Sequence, residues 1–97
     1  MGKESENERN KIVKDSFNLV HDRIERHPKI DGTFSGTTCV VTLISRSQLI
    51  CANSGDSRAI LGSYVDGRWI VKSLSRDHKP DEADEALRVR KRGGRIQ

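Results

Sequence analysis

Aromatic side chains make up 4% of this 97-residue sequence and apolar ones 33%, so material for a core is scarce. A short chain already buries a modest share of its surface. The composition excludes several domains and leaves two readings: a marginal free-standing domain, or a piece of a larger fold whose remaining core lies elsewhere. No apolar run approaches the roughly 20 residues that a membrane span needs, and no apolar stretch follows the first Met as in a secretory leader. The expectation is an intracellular protein, cytoplasmic or nuclear, with no membrane partner. The two cysteines, Cys39 and Cys51, lie in apolar runs. If those runs form a hairpin turning near Arg46-Ser47-Gln48, Cys51 faces residues 42–44 and the thiols do not meet. Both read as buried, reduced and structural.

A surplus of one charge sign is also small: +4 at neutral pH, with a pI near 9.4. The sole dense basic patch is Arg88, Arg90, Lys91, Arg92 and Arg95. Acids in the same segment balance it and no aromatic residue is interleaved for base stacking, which argues against a nucleic-acid partner.

What is present is orderly. "MGKESENER" is polar and without an anchor, so residues 1–9 are expected to be a flexible end or to carry a helix outward. From about Glu8 to His27, with 10–27 the better-marked part, Val13, Phe17, Val20 and Ile24 recur at helical steps, and Ile12 and Leu19 widen the stripe. Pro28 ends that helix. "HPKIDGTFSG" is a loop by composition. Between 37 and 75 the pattern gives four strands. "TTCVVTLIS" is charge-free, as in strands buried on both faces; "LICAN" returns it; "SRAILGSYV" and "RWIVKSLS" flank Asp66-Gly67, a strong hairpin signal. An antiparallel four-strand meander follows. Asp81 is then placed to cap a helix over 82–92, with Glu82, Asp84 and Glu85 at its start and bases at its end. Asp84 and Arg88 stand at i,i+4. Gly93-Gly94 closes the helix, and "RIQ" reads as the start of another strand. The fold class is therefore α+β, and the end at "RIQ" looks cut in mid-element.

Several catalytic patterns fall away on inspection. Ser57, His78 and Asp77 would be the components of a serine hydrolase, but Arg58 follows the serine where an oxyanion loop needs glycine, and "GDSRA" is not a nucleophile elbow. "SGTT" at 35–38 lacks the Gly-Lys of a phosphate-binding loop. His21, His27 and His78 have no partners at zinc spacings, and His21 falls on the polar side of its helix. The polar interruption "NSGDSR" at 53–58, set between two apolar strands, is the feature that an ordinary turn does not explain.

In order, "SGTTCVVTLI", "LICANSGDSRAILG" and "LSRDHKPDEADEALRVRKRGGRI" resemble the central portion of the type 2C family of metal-dependent protein serine/threonine phosphatases, over residues 35–96. The resemblance implies part of a four-layer αββα sandwich, in which an antiparallel meander is flanked by helices. It implies Mn²⁺ or Mg²⁺ held by oxygen ligands, and a metal-activated water that hydrolyses phosphoserine and phosphothreonine. Asp56 matches the family aspartate of an additional, weaker metal site. The remaining machinery has no counterpart: no Asp-Gly-His-Gly-Gly, no later Asp-Asn element and no upstream phosphate-binding arginine. The expectation is thus a partial phosphatase catalytic domain over 1–97, with no catalytic residue of its own and no tightly bound metal. The whole domain's partner would be a phosphorylated protein. The alternative is a truncated, non-catalytic interaction module, self-associating through exposed sheet edges.

Overall fold

The computed structural model describes residues 3–97. Its elements are α1 (Lys3–Arg26), β1 (Cys39–Ile44), β2 (Leu49–Ser54), β3 (Ile60–Val65), β4 (Arg68–Ser73) and α2 (Ala83–Lys91). The fold is α+β. The chain divides into two compact units, one up to Thr37 and the other from Thr38 to Gln97.

In the first unit α1 starts at Lys3, five residues before the expected Glu8. Of residues 1–9, expected to be a flexible end or to carry the helix outward, residues 3–9 continue the helix, as Glu, Lys and Arg are good helix formers; residues 1 and 2 lie outside the described residues. Val13 and Phe17 are half-buried, while Ile12, Leu19, Val20 and Ile24 remain exposed. The helix stops at Arg26, two residues before Pro28, where the chain is pushed out of the helical region. There the His27 N–H donates to Ile24 O at 3.2 Å and the Lys29 N–H to His27 Nδ1 at 3.1 Å. His21 is exposed as expected and stands 3.2 Å from Glu25.

The second unit is built on two hairpins. β1 and β2 pair antiparallel with Cys39 opposite Ser54 and Cys51 opposite Thr42, so the thiols are far apart in register. The Ser45 N–H donates to Gln48 O at 2.9 Å and closes the turn. β3 and β4 pair from Ile60–Ser73 to Val65–Arg68, around Asp66 (φ 52°) and Gly67 (φ 79°). Both central residues have positive φ, as a type I′ turn requires. The two hairpins form separate two-stranded sheets, which corrects the expected four-strand meander. The chain leaving β2 does not close a tight turn onto β3: between them Gly55, Arg58 and Ala59 bond to residues 74–78, as described below.

None of residues 6–97 is buried. The charge-free β1 run, expected to be covered on both faces, is exposed or half-exposed; Cys39 is exposed and Cys51 half-buried. A two-stranded ribbon satisfies hydrogen bonds along one edge and covers neither face, so apolar pattern alone does not bring burial. The clearest case is one face of the second hairpin, where Ile60, Gly62, Tyr64, Trp69 and Val71 alternate outward together. Trp69, 70% exposed, meets Tyr64 edge-on with ring centroids 5.4 Å apart.

The expected cap at Asp81 is also corrected. Glu82 occupies the N-cap in an extended conformation with no side-chain cap, and its carbonyl receives the Ala86 N–H. The expected Asp84–Arg88 pair is replaced by Arg76–Asp84 and Arg88–Glu85. The Arg76 guanidinium holds the Asp84 carboxyl below its ordinary range, and Arg88 does the same for Glu85. The far end follows the expected glycine stop: Gly93 has φ 86°, its N–H donates to Arg90 O at 3.0 Å, and the Gly94 N–H reaches Val89 O at 2.9 Å. That 6→1 and 5→2 pair is a Schellman motif.

Candidate functional site

The polar interruption between β2 and β3 folds onto the segment between β4 and α2. Asn53, the penultimate residue of β2, donates from Nδ2 to Gly55 O at 3.0 Å and to Arg76 O at 2.9 Å. Gly55 is held from the other side by His78: its N–H donates to the imidazole Nδ1 at 3.1 Å, and its carbonyl accepts the His78 N–H at 2.9 Å. Three residues on, Arg58 donates from Nε to Asp77 Oδ1 at 2.9 Å and from Nη2 to Asp77 Oδ2 at 2.8 Å. The Ala59 N–H then donates to Ser75 Oγ at 3.0 Å, and its carbonyl accepts the Leu74 N–H at 2.9 Å. "NSGDSRA" and "SRDH" are thereby laced together through four residue pairs, Asn53–Arg76, Gly55–His78, Arg58–Asp77 and Ala59–Ser75.

Local sequence explains the path. Gly55 has φ 115°, a left-handed conformation that favours glycine. A Cβ there would lie 2.5 Å from Thr38 Cγ2, so the backbone passes directly against the start of β1. The neighbouring hydroxyls of Thr38 and Ser57 meet at 2.7 Å. The Arg58 guanidinium, forked onto the carboxylate, lowers the Asp77 carboxyl below its ordinary range, and Asp77 in turn raises Arg58. Lys79 Nζ approaches the same carboxylate at 4.0 Å. Asn53 Oδ1 is buried with no partner among the described residues, a cost that the two bonds from Nδ2 offset.

This geometry removes the hydrolase reading. Ser57 is directed to Thr38, Asp77 to Arg58 and His78 to Gly55, so the three never form a relay. Asp56 stands at the exposed apex of the interruption and contributes to none of the bonds above. Sequence reasoning singled out Asp56 and left Arg58 without a partner; the roles of Asn53 and His78 carried no local signal, because the bonds Asn53–Arg76 and His78–Gly55 each span twenty-three residues.

The sequence matches the model of the protein phosphatase 2C family over residues 2–97. The chain belongs to that family. Among curated relatives, it is 44% identical over 82 residues to probable protein phosphatase 2C 14 of Oryza sativa subsp. japonica, an alignment covering 84% of this chain and 16% of that protein. Probable protein phosphatase 2C 12 of the same plant is 38% identical over 82 residues, covering 84% and 21%. Protein phosphatase 2C homolog 2 of Aspergillus fumigatus is 42% identical over 82 residues, covering 84% and 18%. This phosphatase 2C chain therefore spans about a fifth of the length of the curated relatives it matches. No solved structure matches it significantly.

The donors of this phosphatase 2C chain can be weighed against the metal its family implies. Divalent Mn²⁺ and Mg²⁺ need several oxygen ligands converging on one point. Among the described residues no three His, Cys, Asp or Glu side chains gather into a group that could hold a metal ion. Asp56 is a lone carboxylate, so the residues present do not form the metal centre. No helix among the described residues is long and apolar enough to cross a membrane.

Proposed function

We propose that these residues are part of a catalytic domain that hydrolyses phosphoserine and phosphothreonine in protein substrates and depends on Mn²⁺ or Mg²⁺. The 97 residues alone are inactive on this reading, because one carboxylate does not build a two-metal site. Asp56 contributes a ligand to a weaker, additional metal position in the whole domain. The observation that carries the reading is the family match across residues 2–97, and the lacing of "NSGDSR" to "RDH" gives those matching stretches a common structural purpose. A graft tests it. Replacing the matching 82 residues of a longer phosphatase 2C with this chain's own is expected to preserve Mn²⁺-dependent release of phosphate from a phosphoserine peptide. A folded graft without turnover, or turnover by the isolated 97 residues, would overturn the proposal.

A second reading draws on the exposed apolar faces of the hairpins: a non-catalytic module whose partner is another chain, self-association included. It predicts oligomers in scattering measurements, and a monomer at high concentration counts against it.

A further inference from the structure

Among the laced residues His78 alone accepts a backbone N–H through a ring nitrogen. Gly55 N–H donates to Nδ1 at 3.1 Å, and an imidazole nitrogen accepts only while it lacks a proton. Neutral His78 therefore carries its proton on Nε2. We propose that His78 makes the turn at Gly55 a proton-operated clasp, closed by the neutral imidazole and opened by the imidazolium. In the charged form Nδ1 gains a proton and two donors face each other, so the Gly55 amide is released to water. The other anchors of Gly55, the His78 N–H and Asn53 Nδ2 on its carbonyl, are indifferent to that proton, so the opening is confined to one side of the turn.

The surroundings allow both states. His78 is exposed, so a proton reaches it directly. Asp77 precedes it and is occupied by Arg58, with Lys79 following it. From α2, Glu85 and Arg88 line the same cleft of about 420 Å³, and Arg95 borders it beyond the helix. Glu85 and Asp77 favour the imidazolium, while Arg88, Arg95 and Lys79 oppose it; Glu85 and Arg88 are already paired with each other. No metal or substrate takes part, so the inference is independent of the phosphatase reading.

Hydrogen exchange at single amides tests it on the chain as it stands, with rates normalised for the intrinsic effect of pH. Between about pH 8 and about pH 5, protection of the Gly55 amide is expected to fall about tenfold. His78→Asn offers an acceptor oxygen near the place of Nδ1 and does not titrate, so its Gly55 protection is expected to be the same at both ends. Equal protection of wild-type Gly55 at both pH values, or its absence at about pH 8, overturns the proposal. So does a His78→Asn chain that loses protection as the wild type does. A nitrogen-detected spectrum of the imidazole supplies a check that needs no variant: the proton is expected on Nε2 near pH 8, and its presence on Nδ1 refutes the clasp.

Discussion

Arg58 and Asp77, nineteen residues apart, meet through two hydrogen bonds of 2.9 and 2.8 Å, fork against carboxylate. The pair joins the turn after β2 to the segment before α2. A planar guanidinium makes both bonds at once and an ammonium does not. Arg58→Lys is therefore expected to lose nearly as much as Arg58→Ala, although it keeps the charge. A double-mutant cycle with Asp77→Asn, read by chemical unfolding, checks this: non-additive single effects are expected, and strict additivity would show the pair to be uncoupled.

The same pair gives an acid-side signature. Arg58 depresses the Asp77 carboxyl below its ordinary value of 3.8. A group whose folded pKa is depressed stabilises the fold fully above its unfolded value, and that contribution is lost as the pH falls through the lower, folded value. Unfolding followed by circular dichroism is expected to show this loss below about pH 4 in the wild type. The Asp77→Asn chain, already lacking the bond, is expected to show less acid-side change.

Asn53 and Asp56 are expected to respond in opposite ways. Asn53→Ala removes both Nδ2 bonds, at roughly 1–2 kcal/mol, and Asn53→Asp is expected to cost more, since it turns a carboxylate toward the carbonyls of Gly55 and Arg76. Asp56→Asn touches no bond of the clasp and is expected to stay within about 0.5 kcal/mol of the wild type. Urea midpoints of the three variants compare them directly.

Two glycines are fixed by space, and Gly55 by its backbone as well. At Gly55, φ 115° and a Cβ 2.5 Å from Thr38 Cγ2 make Gly55→Ala destabilising by more than about 1 kcal/mol. Thr38→Ala removes the Cγ2 contact but leaves Thr38 Cβ 2.8 Å away, as well as the dihedral strain, so it is expected to recover little. At Gly94 a Cβ would lie 2.6 Å from Val89 Cγ1. Gly94→Ala is expected to fray the end of α2, visible as lost helicity, with recovery on adding Val89→Ala.

Local patterns were legible in the sequence where local chemistry decides them. The stripe through Val13, Phe17, Val20 and Ile24 marked α1, Asp66-Gly67 marked its turn, and Gly93-Gly94 marked the stop of α2. Pairings between distant residues were not legible. Nothing near Arg58 points to Asp77, and nothing near Gly55 points to His78, because the partners arrive from the far side of a hairpin. The segment between β2 and β3 bonds to residues 74–78 instead of closing a hairpin, and the four well-marked strands form two sheets. Asp81 has the chemistry of a cap and Glu82 takes the position, since the turn after Pro80 sets where the helix begins. Burial was overestimated for "CVVTLI" for a related reason: an apolar run states what a strand requires of its faces, and the covering layer must come from elsewhere.

The tryptophan on the second hairpin is the single one in the chain, and it is 70% exposed. Its fluorescence is accordingly an optical gauge of the sheet face it stands on. Emission is long-wavelength and readily quenched by iodide while the face is bare. Any layer that settles over Ile60, Tyr64 and Val71 announces itself as a blue shift, with no label added.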